Sequence, residues 1–140
     1  MLVLPKGFLY QYAVKSYRIV DGDTIETELI QGFDSYTLQL CRILHVDTPE
    51  KKTLAGKAVA QVVAKWLAAA VPLFVVSAQR DKYAGRYDGI IWNSDRSMTL
   101  NDYLLAEKLA RAYEGGKKPR WRAVELKKIL AAANAILGVK

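Results

Sequence analysis

Two stretches of the chain crowd carboxylates against a turn or a proline, where side chains can be held for chemistry. The first is Val20-Asp21-Gly22-Asp23-Thr24-Ile25, which contains a strong turn dipeptide. The second is Arg42-Ile43-Leu44-His45-Val46-Asp47-Thr48-Pro49-Glu50, in which the proline holds Asp47 and Glu50 in a set relation. Carboxylates sharing a site repel one another unless a cation relieves them. A hard divalent cation does so and can also polarise a phosphoryl oxygen. The same spacing also fits Thr48 capping a short turn with the acids in solvent.

Arg42 interrupts the apolar run Leu38-Gln39-Leu40-Cys41-Arg42-Ile43-Leu44. A guanidinium in a half-buried strand needs an anion, either a carboxylate such as Asp23 or Asp47 or a phosphate. A second arginine, Arg86, closes the loop Asp81-Lys82-Tyr83-Ala84-Gly85-Arg86. Arginine suits phosphate because its planar fork makes two charge-assisted hydrogen bonds at once. Alone, that loop would read as an ordinary polar turn.

The formal net charge of +7 favours an anionic partner, since lysines and arginines that neutralise phosphates release counterions. One cysteine, Cys41, and one histidine, His45, exclude an internal disulfide and a zinc site of the usual Cys/His kind. A metal would be held mainly by oxygen, which points to calcium, magnesium or manganese. Met1 to Phe8 carries Pro5 and Lys6 where a leader would be apolar, and the longest apolar stretch, Trp66 to Val76, is short and broken by Pro72. A soluble chain with no signal peptide is expected, either cytoplasmic or trimmed of a leader, without a membrane partner and monomeric.

The elements that must place these residues are strands first and helices after. Phe8–Val20, Thr24–Ile30 and Tyr36–Val46 read as three strands of a meander. Val59, Val62, Val63, Trp66, Leu67 and Ala70 make one helical stripe, closed by Pro72. Leu73–Ala78 and Tyr87–Trp92 form a returning hairpin. Ser97 or Thr99 caps a second helix expected to run to about Tyr113, before Gly115-Gly116 breaks it. Pro119 suits the first turn of a third helix, with its stripe at Leu126, Ile129, Leu130, Ala133 and Leu137 and a stop at Gly138. The expected fold is α+β: one domain over 1–140, a five-stranded oligonucleotide-binding (OB-fold) barrel with three α-helices.

A hairpin centred near Phe33 sets Asp23 opposite about Ile43, hence close to Arg42, with Asp47 a few residues beyond. Cys41 and Ile43 then face inward and Arg42 outward. His45, expected on the third strand, reads as a hydrogen-bonded structural residue, and Cys41 as a small core residue. Lys117, Lys118, Arg120 and Arg122 around Trp121 form a basic patch, either a phosphate track or a solvated face.

These three motifs, in this order, resemble those of the staphylococcal nuclease (thermonuclease-like) family, over roughly Ala13 to Trp121. The resemblance implies that Asp23, Asp47 and the main-chain carbonyl of Thr48 ligate calcium or another hard divalent cation. It implies that Arg42 and Arg86 clamp the scissile phosphate and that Glu50 positions or deprotonates the attacking water. It implies cleavage of DNA or RNA at the 5′ P–O bond, leaving 3′-phosphates. Tyr83 and Tyr113 look like the tyrosines bordering the nucleotide pocket, though both also suit plain packing. Two departures stand out: Ala84 is an extra residue in its loop, and the stretch from Glu50 to the first helix is short. The competing expectation is a non-catalytic OB-fold module that binds nucleic acid or protein; its family counterparts have lost acids or arginines that are present here.

Overall fold

The computed structural model describes residues 10–81 and 85–139. The meander appears as β1 (Gln11–Asp21), β2 (Thr24–Gly32) and β3 (Ser35–Ile43), followed by a two-residue strand β4 (Val46–Asp47). Helix α1 (Leu54–Ala70) leads to the hairpin β5 (Phe74–Arg80) and β6 (Arg86–Trp92). Then come α2 (Leu100–Ala106), the short strand β7 (Arg111–Ala112) and α3 (Ala123–Leu137). Five long strands close a barrel in the order β1-β2-β3-β6-β5, with β5 returning to β1. This is an α+β barrel with three helices among the described residues, as the sequence leads one to expect.

Alternation along the strands fills the bore. Ile25, Ile43, Val75 and Ile91 are buried inside it, which removes apolar surface from water at about 25 cal/mol per Å2. The apolar stripe of α1 (Val59, Val62, Val63 and Leu67) joins the same core, and Ile129 and Ala133 of α3 pack onto it. Thr53 caps α1, its hydroxyl accepting from Gly56 N at 2.9 Å, and Thr99 caps α2 in the same manner. Among the described residues, no helix is long and apolar enough to cross a membrane.

Three expected boundaries move. The stretch Tyr36–Val46 is not one strand: β3 stops at Ile43, and His45 takes a φ of +70°. Asn101 of α2 holds this break, its Nδ2 donating to Leu44 O and to Gly89 O. The second helix ends at Ala106 rather than near Tyr113. Lys108, at a φ of +60°, donates to Leu105 O, and Leu109 N donates to Leu104 O. This is the Schellman arrangement without its usual glycine, sealed by the burial of Leu104 and Leu109. The third helix begins at Ala123, so Pro119 precedes it by several residues. Its capping box joins Arg122 and Glu125, whose Oε1 accepts from Arg122 N at 2.9 Å. Gly138, at a φ of +75°, ends α3 as expected.

A candidate phosphate and cation cleft

The β2–β3 register sets Thr24 opposite Arg42, and Ile43 N donates to Asp23 O at 2.8 Å. Asp23 therefore sits across from Ile43 at the end of the hairpin. Gly22 permits the approach of this end to α1: a Cβ there would lie 2.8 Å from Thr48 Oγ1 and 2.9 Å from Val59. Asp47 enters through β4, which pairs with β7 so that Asp47 faces Arg111. Glu50 follows Pro49. Its carbonyl accepts from Thr53 N at 2.9 Å and Thr53 Oγ1 at 2.7 Å, and a Cβ on Gly56 would come within 1.9 Å of that carbonyl oxygen. The start of α1 thus anchors Glu50 by its backbone, while its side chain, 65% exposed, reaches Lys52 Nζ at 3.0 Å.

Asp23, Arg42, Asp47, Thr48, Glu50 and Arg86 all border one cleft of about 520 Å3. Arg42 is only 4% exposed, and the Tyr113 ring lies against its guanidinium; Tyr113 N donates to His45 O. Its guanidinium lies 3.6 Å from Asp23 Oδ2, too long for a strong hydrogen bond. Arg42 Nη1 donates to Ile43 O, and the buried Nη2 has no hydrogen-bond partner among the described residues. An unmatched buried guanidinium donor is costly and suits an arriving anion. Asp23 also accepts from Thr48 N at 3.2 Å and from Thr24 Oγ1 at 3.1 Å. Arg86 donates to Asp81 Oδ1 at 2.8 Å.

Asp47, 3% exposed, is matched by two cations. Arg111 places Nε and Nη2 each 2.8 Å from Oδ2, and Lys118 Nζ is 3.4 Å from Oδ1. Burial, with the nearby charges of Asp23 and Glu50, pushes the Asp21 carboxyl above the ordinary carboxylate range. Beside the cleft lies a second hollow of about 310 Å3, which shares Arg42, Arg86 and Lys118 with it and is also bordered by His45, Asp88 and Tyr113. Tyr113 donates its hydroxyl to Gly116 O at 2.6 Å and carries the Arg42 guanidinium over its ring at 5.1 Å.

Neither a scan against protein-family models nor a search of curated proteins finds a match to the chain.

Tyr83 and Ala84 lie outside the described residues. Tyr113 borders the hollow rather than the carboxylate cleft. His45 stands at an exposed turn, not on a strand, and pairs its Nδ1 with Glu114 Oε2 at 2.9 Å. Of the basic patch, Lys118 and Arg120 line the cleft with Trp121. Asp21, Asp88 and Arg111 carry structural weight that the sequence reading did not assign. Asp88 had a signal: an acid inside the apolar run Tyr87–Trp92 is the same anomaly that singles out Arg42.

Among the described residues, no three His, Cys, Asp or Glu side chains gather closely enough to enclose a metal ion. A hard cation would complete its roughly six to eight ligands with water and main-chain oxygen. The donors fit such an ion. Asp23 and Asp47 border one space, Asp21 lies close enough to Asp23 and Glu50 for their charges to add to the effect of its burial, and Thr48 Oγ1 is buried without a partner among the described residues. One condition attaches: both oxygens of Asp47 already have cations beside them.

Proposed function

We propose that the chain is a metal-dependent phosphodiesterase that hydrolyses DNA or RNA, with calcium as the expected cation. The observation that carries this reading is the shared cleft: two carboxylates for a cation, two arginines for a phosphate and Glu50 at the rim. Asp23, Asp47 and the carbonyl of Thr48 are the residues to hold the cation, which when bound supplies Lewis-acid stabilisation of phosphoryl oxygen charge. Arg42 and Arg86 hold the two non-bridging oxygens and stabilise the charge that builds on them as phosphorus becomes five-coordinate. Glu50, exposed and fixed by its backbone, orients the attacking water and takes its proton. The water oxygen bonds to phosphorus as the bond to the 5′ oxygen breaks; that oxygen takes a proton from solvent water, Glu50 returns its proton to solvent, and a 3′-phosphate remains. The resemblance of the three motifs to staphylococcal nuclease supports this direction of cleavage.

A second reading, a barrel that binds nucleic acid without cutting it, has one observation in its favour. Asp47 is already neutralised by Arg111 and Lys118, which is how a site without a cation would be balanced. Incubation of the protein with single-stranded DNA and RNA in calcium, magnesium or chelator, with product ends identified, separates the two. Cation-dependent cleavage to 3′-phosphates supports the enzyme. Salt-sensitive binding with no cleavage in any divalent cation overturns it.

A further inference from the structure

The two cations on Asp47 are held in different ways. Arg111 makes two short contacts to Oδ2, donates to Pro119 O, and lies with its guanidinium 3.7 Å from the centre of the Trp121 ring. Its side chain is 22% exposed. Four anchors on a rigid planar group leave it little freedom. Lys118 makes one contact to Oδ1, at 3.4 Å, with a side chain 38% exposed. Its ammonium also lies 5.1 Å from the centre of the Tyr113 ring, the ring that carries Arg42. Lysine is a point charge on a flexible stem, able to change partners without losing a fixed geometry.

Lys118 stands where such a change of partner has a purpose. With Arg42 and Arg86 it borders both the cleft and the adjoining hollow. A divalent cation between Asp23 and Asp47 needs an oxygen of Asp47. Oδ2 is taken by Arg111, so Oδ1 is the one left to give. An ammonium and a dication cannot share one carboxylate oxygen without strong mutual repulsion.

We propose that Lys118 is an exchangeable counter-ion: it neutralises Asp47 while no divalent cation is bound, and it turns to the substrate phosphate beside Arg42 and Arg86 when one is. The inference rests on the phosphodiesterase reading and adds a coupling to it. Ion and nucleic acid each tighten the binding of the other by the same factor, because each favours the position of Lys118 that the other needs. Arg111 stays in place and keeps Asp47 oriented.

The test is calcium affinity measured by calorimetry without nucleic acid, for the native chain, Lys118→Met and Lys118→Arg. Removing the competing ammonium should tighten calcium binding by about three- to tenfold, whereas loss of a merely structural contact would weaken it. A phosphorothioate single-stranded oligonucleotide is then titrated with and without calcium. Calcium should tighten its binding to the native chain, and in Lys118→Met this enhancement should shrink by a similar factor. Lys118→Arg should restore both behaviours towards native. Unchanged or weaker calcium binding by Lys118→Met overturns the exchange while leaving the phosphodiesterase reading standing. A native chain that binds neither calcium nor magnesium takes both down.

Discussion

Arg111 and Asp47 face each other across the β4–β7 pair, and Nε and Nη2 of the arginine both lie 2.8 Å from a single carboxylate oxygen. The two-residue ribbon exists to make this meeting, which ties the barrel to the segment before α3. Removing the arginine strands a carboxylate that is 3% exposed, with Lys118 as its remaining ion-pair partner among the described residues. Arg111→Ala should therefore cost roughly 2–4 kcal/mol of stability in urea unfolding. Adding Asp47→Asn should recover part of that loss, as a double-mutant cycle would register. A cost under about 0.5 kcal/mol, typical of an ordinary surface site, would count against this role.

Glu50 offers the cleanest separation of chemistry from folding. Its side chain is exposed and its position is set through its carbonyl. Glu50→Gln should lower initial rates on single-stranded DNA by about 10²–10⁴-fold, the usual reach of general-base catalysis. The unfolding midpoint should hardly move. Full activity in this variant would remove Glu50 from the mechanism.

Gly56 should behave in the opposite way. A methyl group there meets the Glu50 carbonyl oxygen at 1.9 Å, a contact that only a backbone shift relieves. Gly56→Ala is expected to lose about 1–3 kcal/mol of stability, the common cost of overpacking. Activity should fall with it, because Glu50 moves. Loss of stability at full specific activity would show that the rim tolerates displacement.

Cation binding should register as thermal stabilisation, because a ligand held only by the folded state shifts unfolding by mass action. Calcium at about 100 times its dissociation constant adds about 2.7 kcal/mol by that relation. Asp23→Asn should abolish the calcium-dependent rise in midpoint, and chelator should abolish cleavage by the native chain. A rise that persists in Asp23→Asn would place the ion elsewhere.

Burial and the neighbouring Asp81 carboxyl push the Asp88 carboxyl above its ordinary value, against the opposing effects of Gln79 and Arg42. A carboxyl whose pKa is raised on folding favours the folded state fully only below the unfolded value of 3.8, and that benefit is lost as pH rises through the folded pKa. Asp88→Asn keeps an acceptor for Gln79 Nε2, now 2.9 Å from Oδ2, and removes the charge. It should be more stable than the native chain at pH 7, with the advantage shrinking as pH falls towards the unfolded value. Equal stabilities at neutral pH would show that the ionised pair is well accommodated.

Much of this architecture was legible because strand alternation and helical stripes are set by burial, and burial is written in residue type. The hairpin register placed Asp23 opposite Ile43 from turn position alone. The end of α2 was not legible. Leu109-Ala110-Arg111-Ala112-Tyr113 has good helix formers, and the αL residue that stops the helix is Lys108 rather than glycine. Tertiary burial of Leu104 and Leu109 overrides that preference. Missing the stop also hid β7 and the partner of Asp47. Lys118 lay within the basic patch, but a contact between residues so far apart in sequence leaves no local trace.

The barrel closes where β3 runs parallel to β6, with Leu40 beside Arg86 and Arg42 beside Asp88. The two guanidinium-bearing strands therefore meet at a seam joining distant parts of the chain, whereas Asp23 belongs to a hairpin of near neighbours. Closing a long loop costs more entropy than closing a short one, and the β1–β5 contact, Gln11–Ala13 against Phe74–Val76, spans a longer loop still, which leaves that edge the natural place for the barrel to open. A molecule parted there would keep β2, β3 and β6 joined, and with them Asp23, Arg42 and Arg86. Mild denaturant should thus loosen the β1–β5 edge while the acidic hairpin end and the two arginines stay on one sheet.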